Sequence, residues 1–291
     1  MPNFGFTREQ HPDGNQLMPS TLPGLAAIAS VAAAMLYTVG AALQIRSLWS
    51  NRSVALGTIV LVTVPALVLH ATATYLQIFT DEGLYLGFFT AISLVTLFIV
   101  LFVMLAAVRM PVQNLLMLVL PIGALAVIAS LLGETGFTAR TSLPAHLILH
   151  ITFSVIAYSI LGMAAGQALL LAYLEHALKN RTSIRALRLL PPLETMETLL
   201  FTLLWTGILT LTLAIATGFI FLDDMFDQQV VHHTILALAS WVMYAGLLSG
   251  RHFFGWRSST ATYWTLIAFS LLVLGYFGSK FVMEILLAAA G

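Results

Sequence analysis

Eight apolar segments, each about long enough to cross a bilayer, occupy most of these 291 residues and leave few folds open. A hydrocarbon core of roughly 30 Å needs about 20 apolar residues at 1.5 Å each. Segments meeting that requirement run over 23–44, 54–78, 86–108, 113–132, 144–174, 198–222, 230–250 and 261–288. Continuous runs of this length are not the alternating strands of a barrel. The expected class is therefore an all-α integral membrane protein, a polytopic bundle of about eight transmembrane helices. No Pro/Gly/Ser-rich linker divides the chain, so 23–288 reads as a single membrane domain. It follows a polar N-terminal extension, 1–22, that lacks the basic start of a secretory signal.

Charge is scarce and unevenly placed. Only 8% of residues are charged, against about 25% in a soluble domain. Twelve basic and twelve acidic residues cancel, which excludes a nucleic-acid binder relying on bulk positive charge. The absence of cysteine removes disulfides, thiol nucleophiles and thiolate metal sites together. With the connections numbered in chain order, the odd ones hold Arg46, Arg52, Arg109, Lys179, Arg181, Arg185, Arg188, Arg251 and Arg257, nine of the twelve basic residues. The even side carries Asp81, Glu82, Glu134, Asp223, Asp224 and Asp227. The positive-inside rule then puts the odd connections in the cytoplasm and both termini outside. The longest odd connection, His176–Glu197, mixes basic residues with Ile184, Leu187, Leu189 and Leu190 before Pro191-Pro192. That pattern suits a helix lying on anionic headgroups or a surface for a protein partner.

Histidines within or at the ends of the spans are the candidate functional residues. His70 lies about 12 Å deep in the second span, where an ionisable side chain normally faces the bundle interior and marks function. His150 lies near 9 Å deep at the outer end of the fifth, four residues after His146 on one helical face. If the second and fifth helices adjoin, His70 and His150 reach a common depth and can flank one haem. Two neutral imidazoles would give a six-coordinate iron suited to holding or relaying haem rather than to oxygen chemistry. His232 and His233 open the seventh span, and adjacent residues point about 100° apart, so at most one faces inward. His252 follows that span beside Arg251 and Trp256, where an interfacial anchor is the simpler reading. His11 and His176 read as solvated. There is no glycine-rich phosphate loop, no HExxH and no buried carboxylate pair. No acid sits in the middle of a span, which weakens a proton-coupled transporter reading.

Several strings in order resemble the cytochrome c assembly family, the CcsA-like and HemX-like group, and in particular its short inner-membrane members of the YpjD type. They are Leu69-His70; His150 with Ser154, Ala157 and Tyr158; Leu190-Pro191-Pro192-Leu193-Glu194; Thr217-Gly218; Ser240-Trp241 with Tyr244-Ala245; Gly255-Trp256-Arg257; and Tyr276-Phe277-Gly278, spread over about 60–288. The resemblance implies a multi-pass protein of the bacterial inner membrane that handles haem, with haem-delivery or cytochrome assembly proteins as partners besides the bilayer. It implies His70 and His150 as axial ligands of the haem iron, and His233 and His252 as further cofactor-binding candidates. The family's second intramembrane histidine aligns with Ser249, and His252 lies three residues on, too near the cytoplasmic surface to share one haem with His70. The family's haem-handling members carry a tryptophan-rich external segment before the seventh span. This chain has the acidic turn 223–229 there, without tryptophan, so complete haem-lyase activity is not expected, whereas holding, relaying or sensing haem is. Two other readings fit the residues: a non-catalytic regulator or scaffold acting through 176–197, and, less well, a small-solute transporter.

Overall fold

A computed structural model describes residues 21–50, 54–80, 83–133, 144–180, 190–221 and 231–287. Within them are eight helices long and apolar enough to cross a membrane. They are α1 (Thr21–Ser50), α2 (Leu56–Ile78), α3 (Phe88–Ala107), α4 (Leu116–Leu132, led by a 3-10 turn at Gln113–Leu115), α5 (Ala145–Lys179), α6 (Leu193–Phe221), α7 (Val231–Phe254) and α8. The last, α8 (Ser258–Leu286), is α-helical over Ser258–Val273 and passes through π-helical turns at Leu274–Gly278 and Val282–Leu286. Each expected span has its helix. The largest differences are at the end of the first span, where α1 continues to Ser50, and around the fifth connection, where α5 continues to Lys179 and α6 begins at Leu193. Proline explains the boundary at Leu193: Pro191 and Pro192 precede the first turn, where their missing N–H groups cost nothing, and Glu194 sits at the positive end of the helix dipole. The basic residues 181–188, the acidic turn 223–229 and the extension before residue 21 lie outside the described residues.

A two-stranded antiparallel ribbon, Phe79–Thr80 with Gly83–Leu84, joins α2 to α3. Three polar residues and a glycine, Thr80-Asp81-Glu82-Gly83, carry no hydropathy signal for it. Because each helix crosses the bundle once, the connections alternate between two ends. One end holds Arg46, Arg109, Lys179, Arg251 and Arg257 among the described residues; the other holds the ribbon and the starts of α5 and α7.

α5 is the centre of the bundle. It packs most extensively against α6 and also meets α3 and α8, while α1 packs on α2 and α4. α3 contacts α2, α4 and α5 and so joins the two halves. The crossings are lined by small residues with no exposure, among them Ala66, Ala157, Ala164, Ala168 and Ala268. Lipid gives apolar helices no drive to associate, so close backbone approach and its dispersion energy hold them together. Where α6 crosses α5 the approach is close at Gly207, since a Cβ there would lie 2.4 Å from Leu161 Cδ2. Large apolar side chains such as Leu61, Leu125, Leu209 and Ile220 point outward, as a lipid-facing surface requires.

The basic end is tied by charge. Glu197, buried at the start of α6, is paired by Arg251 and, at 3.3 Å, by Arg257. The Arg251 guanidinium also lies 4.3 Å from the Phe201 ring centre. Between the two arginines the chain turns through Gly255 at φ 66° and folds Trp256 onto Gly250. This arrangement accounts for the Gly255-Trp256-Arg257 string.

Candidate functional site

The sequence-predicted histidines fall into three places. His70 is fully buried in α2 with both ring nitrogens occupied. The Tyr37 hydroxyl of α1 is 3.1 Å from Nδ1, and Ser93 Oγ of α3 is 2.9 Å from Nε2. Thr74 extends this network to Ser93 at 3.2 Å. A neutral imidazole donates through one nitrogen and accepts through the other, so these partners satisfy it completely. Helices α2 and α5 share no substantial packing; α3 stands between them. His70 and His150 therefore do not face one space, and the condition for a haem shared by those two is not met by this arrangement.

His150 and His233 do meet. Both line a cavity of about 320 Å³ between α3, α5, α7 and α8, walled by Leu94, Leu147, Ser154, Tyr158, Tyr276 and Phe277. On α5, His150, Ser154 and Tyr158 follow at four-residue spacing, which puts all three on one face. His150 Nδ1 lies 2.9 Å from the Ala214 carbonyl of α6, with Thr217 Oγ1 at 3.4 Å. A carbonyl only accepts, so Nδ1 carries the proton and Nε2 keeps its lone pair. This is the arrangement in which a backbone carbonyl fixes the tautomer and direction of a metal-ligating histidine. His233 enters from the first turn of α7. Its Nδ1 is buried without a hydrogen-bond partner, and its ring centre is 5.5 Å from that of Tyr276. Gly275 lets α8 pack closely on α7, because a Cβ there would come within 3.1 Å of Leu236 Cβ.

The aromatic wall is held rigidly. Tyr158 donates to the Leu272 carbonyl at 2.8 Å and meets Phe277 edge to face at 5.9 Å. Tyr276 and Phe277 occupy a π-helical turn, a form that is usually a single widened turn and recurs at functional sites. One turn further, Lys280 and Glu284 form a pair at 2.5 Å. Lys280 also donates to the Leu86 carbonyl at 2.6 Å, and Glu284 accepts from Phe88 N–H, the first residue of α3, at 2.7 Å. Leu86 lines the cavity, so this pair fastens the segment after the ribbon against its aromatic wall.

The remaining candidates lie elsewhere. His252 is exposed in the last turn of α7, stacked edge-on to Phe253 at 4.9 Å. Nineteen residues of helix put it about 28 Å from His233. His146 and His232 are exposed, and His176 is exposed and bonded to Asn180. Sequence reasoning gave no role to Tyr158, Tyr276 and Phe277 beyond family strings, and none to Glu284. The i,i+4 spacing of Lys280 and Glu284 within an apolar span was the available signal.

The family model described as cytochrome C assembly protein matches residues 58–287. Inner membrane protein YpjD of Escherichia coli K12 is 27% identical over 267 residues, 91% of this chain and 100% of that protein. A protein of Azospirillum brasilense described as "Uncharacterized 28.8 kDa protein in nifR3-like 5'region" is 37% identical over 141 residues, 48% of this chain and 52% of that one. No solved structure matches.

Proposed function

The chain belongs to the cytochrome c assembly protein family, and from that premise we propose that it holds or relays haem at the cavity between His150 and His233. The observation that carries this reading is the hydrogen bond from His150 Nδ1 to the Ala214 carbonyl, which leaves Nε2 as a ligand nitrogen. The ring of His233 on the wall of the same cavity supports it. The donor set fits haem: two imidazoles are a known axial pair, and a wall of Tyr158, Tyr276 and Phe277 suits a flat apolar macrocycle. About 320 Å³ is at the small end of ligand cavities, roughly 300–1,000 Å³, so only part of a porphyrin would be enclosed. Haem, when bound, supplies an iron porphyrin to be carried to an assembly partner.

The protein's own residues have distinct tasks in this reading. Ala214 and Thr217 orient His150, and Gly275 brings α8 close to α7 beside His233. The aromatic wall keeps water away, and Lys280 with Glu284 closes the side at Leu86. His70, held by Tyr37 and Ser93, joins α1, α2 and α3 rather than presenting a free nitrogen. The YpjD relative is an inner membrane protein by its name, and the same location is proposed here. The basic end then faces the cytoplasm, with both termini and the histidine cavity at the outer side. The turn 223–229 has no tryptophan, which favours carriage of haem over its covalent attachment.

Haem content per chain tests the proposal. Protein purified from haem-replete cells should retain haem in the wild type and lose it in His150→Ala/His233→Ala. Equal content in the two would overturn the assignment.

A further inference from the structure

The cavity shared by His150 and His233 is walled by helix except at one point. Among the described residues that line it, Leu86 alone lies outside a helix, in the irregular segment 85–87 between the ribbon and α3. A helical wall gives way only when packed helices part or a ladder of backbone bonds breaks. An irregular segment is held by a few separate contacts, so it opens at lower cost. Two of these contacts are backbone bonds at either side of the segment. Lys280 donates to the Leu86 carbonyl at 2.6 Å, and Tyr85 N–H donates to the Ile78 carbonyl at 2.8 Å.

The start of α3 is fixed independently. Phe88 donates its N–H to Glu284 at 2.7 Å, and its ring meets Phe277 at 6.1 Å and Phe281 at 5.7 Å. Movement is therefore confined to the residues before it, and the Lys280 bond is what holds Leu86 against the aromatic wall. Glu284, 2.5 Å from Lys280, keeps the ammonium in place under that carbonyl. A cavity of about 320 Å³ encloses only part of a porphyrin, so a wall must move for one to enter or leave. We propose that 85–87 is the gate of this cavity, that Lys280 holds it shut and that Glu284 positions Lys280. When the bond to Leu86 breaks, the Leu86 side chain swings clear and haem passes there. The gate rests on the haem reading for its cargo and on the cavity geometry for its place.

Transfer of haem from the loaded full chain in detergent to excess apomyoglobin, followed at the Soret band, tests the gate. Lys280→Met/Glu284→Gln removes the bond to Leu86 and leaves a glutamine to accept from Phe88 N–H. This variant should release haem roughly tenfold faster than wild type, the effect of losing one hydrogen bond to a charged group. Uptake should quicken by the same factor, so the dissociation constant does not move. Lys280→Gln/Glu284→Gln keeps an uncharged donor for Leu86 and should fall between the two; it serves if the methionine variant does not fold. Arg251→Met breaks an ion pair at the opposite end of the bundle and should release haem at the wild-type rate. Release unchanged in both double variants, or quickened as much by Arg251→Met, overturns the gate and leaves the haem site standing. Hydrogen exchange of the haem-free chain, read by mass spectrometry, needs no cargo. Amides of 85–87 should exchange roughly tenfold faster in Lys280→Met/Glu284→Gln, with those around His150 unchanged. A wild type that holds no haem overturns the haem reading, and equal exchange at 85–87 in variant and wild type then overturns the gate as well.

Discussion

Replacing Glu284 with glutamine removes one charge from a pair that the bundle keeps nearly dry. The two side chains are 17% and 10% exposed at Lys280 and Glu284. Glutamine has nearly the same volume and can still accept from Phe88 N–H, so the cap on α3 survives. What is lost is the counter-charge of the Lys280 ammonium, which keeps the Leu86 carbonyl as acceptor. Breaking a buried pair from one side costs about 3–5 kcal/mol, and the Leu86 bond with the remaining exposure places this case near the low end, about 3 kcal/mol. Replacing both partners by neutral groups is far cheaper, so Lys280→Met/Glu284→Gln should recover most of the loss. Equilibrium unfolding of wild type, both singles and the double in mixed micelles gives the full cycle. A loss below about 1 kcal/mol for Glu284→Gln, the size expected of an exposed pair, would refute the reasoning. So would a double variant as unstable as the single.

Other substitutions probe the remaining links. Tyr37→Phe takes away the partner of His70 Nδ1 in a fully buried site and should cost about 1–3 kcal/mol in the same assay, while leaving haem content unchanged. Gly207→Val sets new carbons against Leu161 and should cost about 1–3 kcal/mol; Leu161→Ala in the same chain should return part of it. Arg251→Met should destabilise more than Arg257→Met, because Arg251 is the half-buried partner of Glu197 and Arg257 is mostly exposed.

Length and apolarity made the spans legible, since a segment that crosses a bilayer has few alternatives. Their ends were less legible where prolines and interfacial basic residues extend helices beyond the apolar run, as at Leu193 and at Arg251–Phe254. The depth argument singled out His150, and helical geometry alone allowed one inward residue of the His232/His233 pair; His150 and His233 line one cavity. Depth could not say which helices are neighbours. His70 lies at a depth similar to that of His150, yet α3 intervenes, and Tyr37 and Ser93 come from helices whose packing no local pattern encodes. For the same reason the tautomer of His150 was invisible: it depends on a carbonyl 64 residues away.

The central claim is that iron would be bound through His150 and His233. The midpoint potential of haem in His233→Met and His150→Met measures this directly, because exchanging an axial imidazole for a thioether raises the potential. Both variants should show that rise against the wild type, with Tyr37→Phe unmoved. Potentials unchanged by either methionine, in protein that still carries haem, would contradict the account.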